Sequence, residues 1–413
     1  MHISGEQIKL GVFSDPSAKS HKIYLGLQFY VHSKCRFFAL KIAIIHYWLI
    51  AQRGGEKVVE ELCDLYTDAD IFSLVVDRDA LPPRVATRNI FTSFIDKLPF
   101  SKRWYKHYLP LMPLALEQFD LRGYDLVISS ESGPAKGVLT SPETLHICYC
   151  HTPMRYVWDM YHDYMSTSGR IKRFFMAPLL HYLRMWDRLS ADRVDHFVAN
   201  SANVARRIAK HYRREADVVY PPVAVDDFFI SEQHGNFYLM VGQLVGYKRA
   251  DLAVKAFTRT GKRLIIIGEG EELGSLRAIA GKNVEFLGRQ PFEVLRDHYS
   301  RCQALVFPGE EDFGIVPLEA MASGRPVIAF GKGGALETVL DGKTGVFFHE
   351  QTEDALLEAV ERFEGMKDYF DSAEIREHAC RFGPERFRSE MSKIIETQLQ
   401  AHARAMGRWD VQK

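Results

Sequence analysis

"KIAIIHYWLIAQRGGEKVVEELCDLY", residues 41–66, sets the frame for the rest of the chain. An apolar run ends at His46, a loop carries Gly54-Gly55, and Val58, Val59, Leu62 and Tyr66 then recur at helical spacing. Strand, glycine turn, helix is the opening unit of a doubly wound α/β sheet.

Working outward, further strands read at "ADIFSLVV" (69–76), "YDLVISS" (124–130), "HICYCH" (146–151) and "HFVANS" (196–201). The same grammar restarts after "VVYPPVAVDDF" (218–228). Strands are expected at "FYLMVG" (237–242), "RLIIIG", "VEFLG", "QALVFP", "PVIAF" and "GVFF". Helices fall between them: "RADLAVKAF", 271–280, 291–300, one from Pro317, and a short one near 335–340. This alternation argues for parallel sheets covered on both faces. At 413 residues the chain is too long for one ordinary domain. The expectation is two Rossmann-like α/β domains facing across a cleft. An extension of unstated use covers 1–39, an N-terminal domain 40–220, a C-terminal domain 221–390, and a helical tail 391–413. Pro221-Pro222 stiffens the join.

Charge is balanced overall, with 53 Lys+Arg and 53 Asp+Glu, but it is unevenly spread. Residues 221–413 hold 24 Lys+Arg against 30 Asp+Glu, which leaves 29 against 23 in residues 1–220. The basic half either carries a solvated face or meets an anionic surface. "SKRWYKHYLPLM" (101–112) and "RIKRFFMAPLLHYLRMW" (170–186) mix cations with large apolar residues, which suits a helix lying on an anionic leaflet. The plain alternative is amphipathic helices packed on the sheet. No nucleic-acid-binding signature accompanies these charges. No run reaches the ~18 apolar residues of a spanning helix. Six cysteines show no framework; their usage suits a reducing compartment. Cys148 and Cys150 flank Tyr149 beside His151, but no second pair completes a zinc site. They read instead as alternate residues of a strand, one facing each side.

"EEDFGIVPLEAM" (310–321) carries the chemistry. It follows the strand "QALVFP", so Gly309 to Val316 is a loop at a strand's carboxyl end. Pro317 suits a helix's first turn, Gly324 ends it, and Glu319 falls near the third helical position. Backbone N–H groups at Phe313, Gly314 and Ile315 would then form an anion site apt for a diphosphate. Carboxylates beside such a site suit sugar hydroxyls, which they accept bidentately. Sugar, diphosphate and ribose in that order make a nucleotide sugar. Alternatively Glu319 is a capping-box glutamate and Glu311 a solvated loop acid.

"EEDFGIVPLEAMASGRPVIAFGKGGALETV" closely resembles the E-x7-E segment of retaining glycosyltransferases of family four, which have the GT-B fold of two Rossmann-like domains. "VGQLVGYKRADLAVKAF", "IIIGEGEEL" and "VEFLGRQP" fall where that family's other segments fall, so the resemblance covers roughly 41–390. "YCHTPMRYVWDMYHDY" (149–164) resembles the subgroup of bacterial O-antigen and exopolysaccharide mannosyltransferases. The resemblance implies that Glu311 binds donor-sugar hydroxyls, Glu319 the ribose, and Lys248 the diphosphate. It makes Gly54 and Gly55 the loop approaching the phosphates or acceptor, and His151 the interdomain histidine near the reaction centre. Gln243 stands where the family commonly has an Arg and brings no charge. Glu337 either caps a helix or touches the donor.

The implied reaction is hexosyl transfer, of mannose from GDP-mannose, to a polyprenyl-diphosphate-linked glycan. The enzyme would be cytoplasmic, peripheral on the inner face of the plasma membrane. It would need no metal or other cofactor; "SLVVDRDAL", with Asp77 and Asp79, is read as a decoy for a metal-binding DxD. Alternatives are a UDP-glucose-type enzyme, a nucleotide-sugar isomerase or hydrolase, and a non-catalytic glycan-binding subunit.

Overall fold

The computed structural model describes residues 40–51, 54–166 and 169–407. The extension expected over 1–39 and the last residues of the tail lie outside them. Two all-parallel sheets organise the described residues. The first holds β1 (Ile42–His46), β2 (Asp70–Ser73), β3 (Ile90–Thr92), β4 (Leu126–Glu131), β5 (Leu145–Cys150), β6 (His196–Ala199) and β7 (Ala216–Val218). The second holds β8 (Tyr238–Val241), β9 (Leu264–Ile267), β10 (Val284–Gly288), β11 (Leu305–Phe307), β12 (Val327–Phe330) and β13 (Gly345–Phe348).

Their orders are β3-β2-β1-β4-β5-β6-β7 and β10-β9-β8-β11-β12-β13. Chain direction across each sheet therefore reverses once, between β1 and β4 and between β8 and β11. Loops leaving neighbouring strands at such a point diverge to opposite faces and open a crevice at the carboxyl ends. The fold is GT-B: two Rossmann-like domains whose crevices face one another.

The strands form because both sheet faces are covered. β1, β4 and β5 are buried at every position. In the second sheet Tyr238 and Met240 pack into one core and Leu239 into the other, the period of two that a covered sheet demands. β3 and β7 have no counterpart in the sequence reading. They are three-residue edge strands with partly exposed side chains, so no apolar alternation announces them.

Two expectations need correction. Cys148 and Cys150 both lie in the cluster with Phe197, Val204 and Tyr212. Residues two apart on a strand point to the same side, so they cannot face opposite ones. The helix expected from Pro317 begins at Ile315, and Glu319 is its fifth residue. Pro317 at the third position is tolerated because the first helical N–H groups have no intrahelical acceptor.

The last helix, Pro384–Ala405, returns to the first sheet. Phe387, Met391 and Ile395 are fully buried among Ile44, Val59 and Leu62. Burying three such side chains is worth roughly 1.5–3 kcal/mol each. This helix ties the two ends of the described chain to one core.

Candidate active site

A cavity of about 540 Å³ opens between the carboxyl ends of the two sheets. That size suits a drug-sized ligand. Its lining includes Gly54, Gly55, His151, Lys248, Glu311, Phe313, Gly314, Ile315 and Glu319. Nine of the ten residues assigned to the catalytic and donor site from the sequence thus converge. The tenth, Gln243, is exposed and does not line the cavity. Its neighbour Leu244 is fully buried in the core.

On the second-sheet side, Lys248 Nζ stands 2.8 Å from Glu311 Oε1. Burial works against the ammonium charge, but the Glu311 carboxylate outweighs it and holds the Lys248 pKa above its ordinary value. Glu311 is therefore not a solvated loop acid. Glu319 is not a capping-box residue either: its Oε2 accepts the Tyr299 hydroxyl at 2.9 Å. Burial first, and that carboxylate second, push the Tyr299 hydroxyl well up, so it remains a donor. Gly314 precedes the Ile315–Ala322 helix at φ 89°, ψ 81°, a left-handed conformation that glycine adopts without strain. The Phe313 ring turns away into the core, stacked on Tyr220 with centroids 5.4 Å apart. What Phe313, Gly314 and Ile315 offer the cavity is backbone at a helix start.

On the first-sheet side, the Gly54–Leu65 helix begins at the cavity wall. A Cβ on Gly54 would lie 2.7 Å from Ile315 Cδ1. The starts of two helices, one from each domain, thus nearly touch. A Cβ on Gly55 would lie 3.1 Å from the Tyr47 hydroxyl and 3.6 Å from His151 Nε2. His151 Nε2 also pairs with Ser130 Oγ at 2.9 Å. Burial drops the His151 pKa to about 4, so the ring is neutral at pH 7. His46, behind it, falls to about 3, through burial and then repulsion from His151.

A buried ionic network fixes this wall. Lys136 Nζ pairs with Glu131 at 3.3 Å and with Asp187. Trp158 Nε1 donates to Asp187 at 2.7 Å, and the Tyr212 hydroxyl joins at 2.9 Å. The Lys136 amide donates to Glu131 at 3.0 Å. Burial raises Glu131 to about 7, against the pull of Lys136. The loop after β4 and the segment after His151 are thereby held to one scaffold.

Contacts cross the cleft. Glu337 accepts from the Ala202 and Asn203 amides at 2.7 and 2.8 Å. It caps the Ala202–Tyr212 helix of the other domain and does not line the cavity. Ser201 Oγ donates to the Asp312 carbonyl at 2.7 Å. Asp312 pairs with Arg207, and with Arg155 at 3.5 Å. Lys57 Nζ reaches Glu319 Oε1 at 3.7 Å. Lys57, Arg155 and Asp312 line the cavity and were not among the residues singled out in the sequence. Lys57 had a visible signal: a cation in the first turn of a helix opposes the helix dipole. Asp77 is paired with Lys102 at 2.9 Å, and neither it nor Asp79 lines the cavity. Phe292 also lines the cavity.

Comparisons with known proteins agree with this geometry. Residues 52–227 match the model of Glycosyltransferase Family 4, and residues 226–379 match that of Glycosyl transferases group 1. The O-antigen chain mannosyltransferase RfbU of Salmonella typhimurium is 31% identical over 36% of this chain and 45% of its own. The alpha-1,3/1,6-mannosyltransferase ALG2 of Dictyostelium discoideum is 25% identical over 57% of this chain and 66% of its own. The matched stretches thus span about half to two thirds of these relatives. Among solved structures, Anabaena Alr3699/HepE in complex with UDP and glucose superposes with a TM-score of 0.66 at 15% identity, covering 87% of this chain and 100% of that one. That likeness establishes the fold.

Proposed function

The chain belongs to family four of the GT-B glycosyltransferases, and we propose that it transfers mannose from GDP-mannose to a lipid-linked glycan with retention of configuration. One observation carries the reading: Glu311, Glu319, Lys248 and the starts of two helices meet in one interdomain cavity. Anionic diphosphate suits the helix starts and Lys248, and hydroxyls suit the carboxylates. Mannose and GDP are favoured by the mannosyltransferases among the relatives, one of which is described as GDP-mannose-dependent.

In the reaction, the bond from the anomeric carbon to the diphosphate oxygen breaks and one to the acceptor oxygen forms on the same face. The acceptor proton passes to the departing phosphate. Charge grows on the diphosphate as it leaves, so Lys248 and the amides at Gly314 and Ile315 stabilise the transition state more than the ground state. In this reading they carry that task without a divalent cation. Neutral His151 exchanges hydrogen bonds with a sugar hydroxyl and gains no charge.

The acceptor side faces a lipid leaflet in this proposal. No described helix is long and apolar enough to cross a membrane. However, the Arg170–Ser190 helix opens with Ile171, Phe174 and Phe175 exposed to 79%, 75% and 68%, interleaved with exposed Arg170, Lys172 and Arg173. Apolar rings among cations fit an anionic bilayer surface.

Thermal-shift and calorimetric titration with GDP, UDP, GDP-mannose and UDP-glucose tests the donor. GDP-mannose should bind most tightly. Preference for UDP-glucose would replace the donor, and absence of binding to all four would overturn the reading. Donor consumed without any glycan acceptor would turn it to a hydrolase or isomerase.

A further inference from the structure

We propose that Lys57 is the second phosphate-binding cation of the site, supplied by the opposite domain from Lys248. The inference rests on the nucleotide-sugar reading above. A diphosphate carries more negative charge than one ammonium can neutralise, and Lys248 is already held 2.8 Å from Glu311. Gln243, five residues before Lys248, is uncharged and turned out of the cavity. Among the described residues lining the cavity the other cations are Arg155 and Lys57. Arg155 is held by Asp312 and lies over the Tyr247 ring, 5.4 Å from its centroid. Lys57 has the loosest pairing of the three, 3.7 Å to Glu319, and its side chain is one-third exposed.

Its position is chemically informative. Lys57 lies in the first turn of the Gly54–Leu65 helix, where the helix dipole repels a cation. The start of that helix adjoins Ile315, the first residue of a second helix whose dipole points its positive end into the same cavity. Two positive helix ends and two ammonium groups surround one space, with the carboxylates of Glu311, Glu319 and Glu60 beside them as counter-charges that an entering anion would displace. Glu319 offsets part of that charge from across the cleft. When a donor ribose engages Glu319, Lys57 is released towards the phosphates beside it. The consequence is a division of labour: Lys248 grips the diphosphate from the donor domain. Lys57 adds its charge only when the two domains are together, so the leaving group itself favours the closed cleft.

The test is calorimetric titration of wild type, Lys57→Met and Lys57→Arg with the nucleoside, nucleoside monophosphate and nucleoside diphosphate of guanine and uracil. Lys57→Met should weaken diphosphate binding by about ten- to a hundredfold, the range for a lost charged hydrogen bond. Nucleoside binding should be unchanged, and Lys57→Arg should stay within about threefold of wild type. Equal loss for nucleoside and diphosphate, or no loss for either, would reduce Lys57 to an interdomain ion pair and overturn the proposal. Failure of wild type to bind any diphosphate would instead overturn the nucleotide-sugar reading, and this inference with it.

Discussion

The two walls of the cleft descend from the same strand order, yet they solve opposite electrostatic problems. The second-sheet wall is ionic: Lys248 against Glu311, and Glu319 held by Tyr299. The first-sheet wall is neutral where its strands end: His46, His151 and Ser130 under a glycine turn, with the Glu131–Lys136–Asp187 network sealed away behind; the charges it brings to the cavity, Lys57, Glu60 and Arg155, come from the following helix and loop. An ionic wall holds a charged ligand in place. A neutral, desolvated wall lets an uncharged hydroxyl approach without competing for a proton. One topology thus yields a grip on one side and a platform on the other, set by which side chains end the strands.

The sharpest way to break this contrast is to remove the grip. Lys248→Ala and Glu311→Ala should each lower kcat/KM by at least about a thousandfold while thermal unfolding stays cooperative. Near-normal turnover in either would erase the distinction between the walls. A second test addresses the outer face of the neutral domain. Phe174→Ser with Phe175→Ser should cut partition onto vesicles rich in anionic lipid by at least about a hundredfold, taking roughly 1.5–3 kcal/mol per ring. Unchanged sedimentation with vesicles would remove the leaflet from the account.

The third prediction concerns protons. His46, His146 and His151 are held near 3, 4 and 4 by burial, below the 6.5 of an exposed histidine. Between those values the unfolded chain binds more protons, so their contribution is present above about pH 6.5 and is lost as pH falls towards 4. Each contributes a slope of up to about 1.4 kcal/mol per pH unit. Glu131, raised from 4.5 to about 7, works the other way: the native state binds its proton there, so it destabilises as pH rises through that window. The net should resemble about two histidines, and urea titrations between pH 7 and 5 should show stability falling. A flat profile would mean the platform is not as dry as its geometry says.

The smallest effect belongs to the contact joining the walls. Glu337→Ala removes the acceptor for two amides at a helix start and should cost about 1 kcal/mol. Read by kinetics, it should raise KM for the donor about fivefold with kcat little changed. A selective fall in kcat would instead give Glu337 a part in the chemistry.

Much of this arrangement was legible in the chain. The repeated strand–turn–helix grammar announced two parallel sheets, because strands buried on both faces read as apolar runs. The acids at 311 and 319, Lys248 and the paired glycines stood out because each lies in the loop that follows a strand or in the helix after it. Edge strands β3 and β7 escaped, being short and half exposed. The start of the Ile315–Ala322 helix escaped because proline marks a first turn without fixing which residue opens it. Gln243 was expected at the donor, and only the folded chain leaves it exposed and outside the cavity lining.

By itself the sequence determined the local units and their order, since apolar periodicity and glycine placement act over a few residues. It also determined the inventory of acids and cations available at the strand ends. Tertiary structure alone decided the pairings: Lys57 with Glu319, Arg207 with Asp312, Glu337 with a helix of the other domain, and the last helix with the first sheet. Those contacts join residues from about a hundred to more than three hundred positions apart. Nothing in local propensity encodes such separations; they follow from how two finished domains settle against each other.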